Sequence, residues 1–455
     1  MLLKTFHRGV HPSYHKELTR DKPIEPAAIP GRVVIPLWQH TGSPCEPTVK
    51  KGEDVTEGQK IGDAKSFVSS PVHASITGKV KDITMHPHPG GAKVLSVIID
   101  GDGRGTHPQD GSGVEKKDWN KDSDGVALEK LTPEEIRSIV RDAGIVGLGG
   151  ATFPTSVKLT PPKGILVDTV ILNGCECEPY LTADHRVMLE SPDKVVWGLK
   201  AIMKAVGAAR GVIGIEDNKE GCAMILSKAA SSILPELKVV LLKTKYPQGA
   251  EKMLIHALMG RKVPAGKLPF DVGVVVNNVA TAAAITEAIR YKKPLIERVV
   301  TVSGNGVRTP KNLRVRLGVS FAEVLIQCGG LVQEGEKEIL AGGPMMGIAQ
   351  KDLDVPVVKG TSGITVLRGG EIKPLRYEPC IRCASCVEAC PMGLMPYRIG
   401  DMGRLGMTGP FKSWSGSACI ECGCCSFVCP SKRPLVQWIR VGKMKLRSSS
   451  GASGA

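Results

Sequence analysis

The chain has 455 residues, of which 42% are apolar and 4% aromatic, with a formal net charge of +15. That length exceeds one ordinary domain and suggests about three, the apolar content suffices for several cores, and so few aromatics argue against a stacking platform for single-stranded nucleic acid. The charge speaks to partners rather than to fold: no nucleic-acid motif is present, which leaves an anionic membrane face, an acidic protein or a phosphorylated cofactor, and no apolar run is long enough for a transmembrane helix.

The opening stretch from Met1 to Arg8 is too short and too polar for a secretory signal. The 14 cysteines fit a reducing compartment better than a disulfide framework, so a cytoplasmic address is expected. From about 30 to 100 the chain reads as short strands, at 33–37, 74–81 and 94–99, with a turn–strand–turn pattern at 51–62 between them. This block resembles the barrel-sandwich fold of biotinyl and lipoyl carriers. Its candidate tip lysine, Lys65, stands outside the carriers' usual hairpin context, so a structural module is expected rather than a swinging arm.

Residues 101–130 are rich in Gly, Asp, Lys and Ser without periodicity and read as a linker. A helix then begins sharply. Thr132 is the candidate N-cap, Pro133 opens the first turn, Glu135 closes a capping box, and Ile136, Ile139, Val140 and Ala143 share one face. Strands at 167–173, 211–215, 239–242 and 273–276 alternate with helical stretches, which argues for an α/β layer with a largely parallel sheet. From 297 to 365, strands at 298–304, 314–318 and 363–367 surround one helix at 321–328, the pattern of a small β-grasp domain. The remainder is dense in cysteine. The expected organisation is thus a barrel-sandwich module at 1–100, a linker at 101–130, an α/β domain at 131–296, a β-grasp domain at 297–365 and a helical two-cluster segment at 366–455.

In that last segment two runs share one spacing, C-x2-C-x2-C-x3-C-P. They are Cys380, Cys383, Cys386 and Cys390 before Pro391, and Cys419, Cys422, Cys425 and Cys429 before Pro430. Three thiolates so spaced wrap one [4Fe–4S] cubane from a single loop, and the fourth, on the following helix, completes the other. One cluster is assigned to Cys380, Cys383, Cys386 and Cys429, and the second to Cys419, Cys422, Cys425 and Cys390. Zinc is the competing reading, but it favours two C-x2-C pairs with a longer gap and would leave a thiol idle. Cys424 is expected to be a bystander, and Cys45, Cys222 and Cys328 to be core thiols. Two adjacent cubanes pass single electrons, so a two-electron donor site or a docking surface for one is expected elsewhere in the chain.

The candidate is a glycine-rich stretch, Gly147-Leu-Gly-Gly-Ala-Thr-Phe-Pro-Thr-Ser-Val-Lys, whose backbone N–H groups can approach phosphate. Asn173-Gly-Cys-Glu-Cys-Glu-Pro follows one strand, and Asn277-Asn-Val-Ala-Thr follows another, both at the carboxyl edge where α/β sheets place ligands. Together these resemble the flavin-bearing, NADH-oxidising subunit of respiratory complex I. The resemblance implies FMN between the loops with NADH on its ring. Gly147, Gly149, Gly150 and Lys158 would cradle the phosphate, Asn173 with Asn277 or Asn278 would bond the flavin, and Glu176 and Glu178 would contact the nicotinamide nucleotide. The chain departs from that pattern at Leu148, Thr152, Cys175 and Ala280, and the family's acidic loop is represented at best by residues 246–252 with Glu251.

The order of parts, with Gly9-Val-His-Pro, Lys16-Glu-Leu-Thr and Ser303-Gly-Asn-Gly-Val, resembles the RnfC family of the Rnf (Rsx) ion-translocating electron-transport complexes across nearly the whole chain. That resemblance implies an NADH-linked oxidoreductase subunit that holds NAD(H), FMN and two [4Fe–4S] clusters. It implies electron exchange with partner iron–sulfur and membrane subunits and with ferredoxin, coupled to Na⁺ or H⁺ movement, from a peripheral position on the cytoplasmic side of the inner membrane. A corrin (cobalamin) reductase shares several of these parts but normally starts near the glycine-rich loop. A flavin-free electron adaptor is the competitor from another class.

Overall fold

The computed structural model describes residues 3–102, 128–372 and 376–451. Most of the linker expected at 101–130 lies outside these residues.

The α/β layer is built on four parallel strands in the order Lys238–Leu242, Arg210–Glu216, Thr169–Asn173, Val274–Asn278. Successive strand side chains face opposite ways, and each face of the central strand finds its own core. Val170 and Leu172 pack with the helices Pro133–Asp142, Pro192–Val206, Glu220–Ile233 and Val279–Tyr291, while Ile171 packs with Leu254, Ile255 and Leu258 of the helix Glu251–Met259. Cover on both faces explains why these strands are almost continuously apolar. The capping box is formed as expected: Glu135 N–H donates to Thr132 Oγ1 at 3.2 Å, and Thr132 N–H donates to Glu135 Oε2 at 2.7 Å.

Residues 32–101 fold into two small sheets around Val33, Ile35, Val55, Ile61, Val72, Val97 and Ile99. The strand expected at 74–81 runs instead from Gly78 to Pro87. Ser75 is drawn out of the sheet because its hydroxyl donates to Leu317 O at 2.5 Å, tying this module to the β-grasp domain.

The β-grasp sheet has six strands in the order Ile24–Pro26, Lys311–Arg316, Glu297–Ser303, Gly363–Arg368, Lys337–Ala341, Ile348–Gln350, beside the helix Phe321–Gln327. Its edge strand Ile24–Pro26 comes from near the start of the chain and pairs in parallel with Lys311–Arg316. Earlier still, Lys4 bridges Leu242 at the edge of the parallel sheet. The N-terminal segment therefore straps these two sheets together before the barrel-sandwich sheets begin.

In the cysteine-rich segment the helices Pro396–Leu405 and Leu435–Gly451 cross closely. A Cβ on Gly403 would stand 2.3 Å from Trp438 O, so only glycine permits the crossing. The motif helices are single turns, Ser385–Glu388 and Cys424–Phe427. The fourth cysteine of each motif, expected on the following helix, lies just past it. It precedes Pro391 or Pro430, and a residue before proline is pushed out of the helical region.

Candidate functional site

Each cysteine motif places its third thiol on a one-turn helix and its first two on the loop before it. The two segments pack face to face and enclose two hollows. Cys380, Cys383, Cys386 and Cys429 line one, and Cys419, Cys422, Cys425 and Cys390 line the other. Three sulfurs come from one motif and one from its partner, the crossed division expected from the spacing. No three His, Cys, Asp or Glu side chains among the described residues converge closely enough to hold a single ion. Four cysteines lining one hollow suit a cubane.

The two hollows differ in exposure. Cys380 and Cys383 are exposed, whereas Cys390, Cys422 and Cys425 are 7–8% exposed. Burial pushes the Cys419 thiol up to about 11 and Cys425 higher still. Bound iron reverses that preference, because a coordinating thiol is deprotonated outright. Cys424 is fully buried beside the second hollow and is hydrogen-bonded to Cys422, which drives its own pKa upward and keeps it a thiol. Cys45, Cys222 and Cys328 are buried core thiols.

The carboxyl edge of the parallel sheet collects the other candidate residues. The stretch 147–158 turns sharply, with Gly150 at φ +99° and Thr152 at +49°, and ends in the short helix Thr155–Lys158. Space above Gly150 is open. Lys158 Nζ donates to Val276 O at 2.8 Å and pairs with Glu251 Oε1 at 2.7 Å. On the other side, a Cβ on Gly149 would stand 3.5 Å from the Asn278 side chain. Asn277, next to Val276 and Asn278 in the strand, is 3% exposed, and neither its Oδ1 nor its Nδ2 has a partner. A buried amide with both ends unpaired is costly and suits a heterocycle that presents both a donor and an acceptor. Asn278 is already engaged: its Oδ1 accepts from Ala280 and Thr281 N–H, and its Nδ2 donates to Asp184 Oδ2 at 2.6 Å. Asn173 Nδ2 donates to Gly249 O at 2.8 Å. The residues present fit an FMN.

The acidic loop is tied inward. Glu176, at φ +44°, accepts from the N–H groups of Asp184 and His185 at the start of the helix Ala183–Glu190. Glu178 accepts from Met346 N–H at 2.6 Å and Met345 N–H at 3.3 Å, so it anchors the tight turn at 342–347. Burial raises Glu178 to about 7, opposed by those two N–H groups. Beneath the loop, Lys16 donates to the carbonyls of Glu176, Glu178 and Leu181, and burial lowers it to about 8. Arg298 reaches from the β-grasp sheet to Leu148 O at 3.1 Å and Lys359 O at 2.9 Å. The sequence carried no signal for Arg298, a lone cation in an ordinary context, and it marked Lys16 only as part of a stretch resembling the family, with no role. It gave only a weak one for Glu251, which the fold pairs with Lys158.

Four family models match successive parts of the chain: the RnfC barrel sandwich hybrid domain at 4–104, the Nuo51 FMN-binding domain at 140–287, the SLBB domain at 299–349 and the 4Fe-4S dicluster domain at 377–433. Among curated proteins, three relatives are each the subunit designated C of their complex. The chain is 47% identical over 442 residues to that of the Na(+)-translocating ferredoxin:NAD(+) oxidoreductase complex of Acetobacterium woodii, covering 97% of each. It is also 47% identical over 407 residues to that of the proton-translocating ferredoxin:NAD(+) oxidoreductase complex of Clostridium ljungdahlii, covering 89% of this chain and 85% of that one. Against that of the ion-translocating oxidoreductase complex of Rhodobacter capsulatus the identity is 40%, over 86% of this chain and 73% of the relative. With cysteines crossed between two hollows, an FMN-type edge and relatives matched nearly end to end, the chain belongs to the RnfC family of subunits of the ion-translocating oxidoreductase complexes.

Proposed function

We propose that this chain oxidises NADH at an FMN held on the carboxyl edge of the parallel sheet and relays the electrons through two [4Fe–4S] clusters toward ferredoxin-linked partner subunits of an ion-translocating complex. FMN supplies hydride acceptance and single-electron release, and the clusters supply one-electron carriage. The chain's residues bind and orient. Gly149 and Gly150 offer backbone N–H groups, Gly147 N–H closes the loop onto Phe153 O at 2.9 Å, Lys158 offers charge held in place by Glu251, and Asn277 offers the two free ends of its amide. Asn173 and Asn278 frame the pocket through Gly249 and Asp184. Glu176 and Glu178 set the shape of the nucleotide loop from below, through the N–H groups they accept from.

The observation that carries this reading is Asn277, buried with both amide ends unpaired at the carboxyl end of its strand. No helix among the described residues is long and apolar enough to cross a membrane. We place the chain at the cytoplasmic face of the inner membrane, attached through other subunits, with its basic surface toward acidic partners or lipid headgroups. The test is anaerobic spectroscopy of the purified chain loaded with FMN and iron. NADH should bleach the flavin band and then the broad cluster absorbance. A chain that takes up no flavin would be an adaptor instead.

A further inference from the structure

One segment touches both redox sites. Tyr246 is 1% exposed, and its hydroxyl donates to the carbonyl oxygen of Cys422 at 2.7 Å. Three residues on, Gly249 O accepts from Asn173 Nδ2 at 2.8 Å, and Gly249 N–H donates to Cys177 Sγ at 3.3 Å. Four consecutive residues thus join the ligand loop of the buried cluster to the wall of the flavin pocket. Their position is locked from behind. Tyr246 and Val10 exchange two backbone hydrogen bonds at 2.8 and 2.9 Å, and Gly9 N–H donates to Ala389 O beside Cys390. Gly9 has φ +85°, and a Cβ there would stand 2.5 Å from Tyr246 O, so the N-terminal strap fits against Tyr246 only as glycine. The other hollow opens toward the surface, with Cys380 and Cys383 exposed.

We infer that Tyr246 is a positioning residue for electron transfer between the flavin and the cluster of Cys390, Cys419, Cys422 and Cys425, its hydroxyl fixing the ligand loop against the flavin pocket. The inference rests on the FMN and cluster assignments proposed above. Each NADH yields two electrons and one proton. The electrons cross singly from reduced flavin to oxidised cluster, and the proton goes to solvent. Tyr246 forms and breaks no bond, and burial holds its phenol protonated throughout. A hydrogen bond donated to the carbonyl of a ligand residue withdraws electron density from that residue. Nearby hydrogen bonds and charges set cluster potentials, so the same contact raises the potential of this cluster alone.

The experiment compares the flavin- and iron-loaded parent with Tyr246→Phe, which keeps the ring and removes the donor. Anaerobic stopped-flow follows the flavin and cluster bands, and a redox titration read by electron paramagnetic resonance gives both cluster potentials. The flavin should be reduced by NADH at the parental rate. Cluster reduction should then slow severalfold, and the potential of the buried cluster should fall while that of the exposed one holds. Unchanged cluster reduction with unchanged potentials would overturn the inference. If Tyr246→Phe loses iron or flavin, Gly9→Ala decides, since it displaces Tyr246 from the strap side: slower cluster reduction supports the inference and parental kinetics refute it. A parent whose flavin is not reduced by NADH would sink the proposed function rather than this inference.

Discussion

Asn277→Leu separates the demands of binding from those of folding. Leucine fills nearly the same space and has no polar atoms. In the parent, the buried Oδ1 and Nδ2 are both unpaired. Leaving such a group without a partner costs about 1–3 kcal/mol, and pairing it gains about 1 kcal/mol net per hydrogen bond. If FMN pairs both atoms, the substitution removes about 2 kcal/mol of binding, which is roughly thirtyfold in Kd. The flavin-free chain should move the other way, because it no longer buries an unpaired amide, and its melting midpoint should rise by a few degrees. Titration of FMN fluorescence onto flavin-free protein gives the first quantity, and thermal unfolding of the same sample gives the second. Parental FMN affinity together with a lowered midpoint would refute the reasoning, since Asn277 would then be a packing residue with no ligand.

Cross-ligation makes Cys429→Ala abolish the cluster of Cys380, Cys383 and Cys386, and Cys390→Ala abolish the other; iron should fall from about eight to about four per chain in each, with different resonance signals lost, and identical spectra would contradict the crossed arrangement. Lys158→Ala should weaken FMN binding about tenfold or more through loss of a charge-assisted contact, and should leave dithionite reduction of the clusters untouched, as absorbance will record. Lys359 tests pH dependence. It is fully buried, donates to Pro71 O and Gly144 O at 2.6 Å each, and desolvation lowers it from 10.5 to about 7. Two carbonyls satisfy the two N–H groups of a neutral amine. Between about pH 7 and 10.5 the unfolded chain holds a proton the folded chain lacks, so stability should rise with pH across that window, by up to about 5 kcal/mol. Lys359→Met should flatten that rise in chemical denaturation measured at several pH values, and an unchanged slope would show that another group titrates.

Local features were legible wherever they obey a short-range rule. The spacing of the eight cysteines pointed to a crossed ligand set, because a cubane reached from one loop demands that interval. The capping box at Thr132 and the alternation of strands with helical stretches announced a helix start and an α/β layer. The glycine-rich stretch and the two asparagine loops pointed to one edge of that sheet because ligands gather where α/β strands end.

What the sequence left open depends on partners distant along the chain. It offered Asn277 and Asn278 as equals, and only the fold commits Asn278 to a helix cap and Asp184 while leaving Asn277 free. Glu176 and Glu178 read as nucleotide ligands, whereas the folded chain aims them at backbone N–H groups at 184–185 and 345–346. The strap of residues 4–26, which pairs with two sheets and clamps Tyr246, has no periodicity to betray it, because its order comes from hydrogen bonds to residues 160 or more positions away. The sequence alone nominated the groups proposed to hold iron and flavin. Tertiary structure decided which of them are already engaged and how the two sites touch, because burial and long-range pairing exist only once the chain has closed on itself.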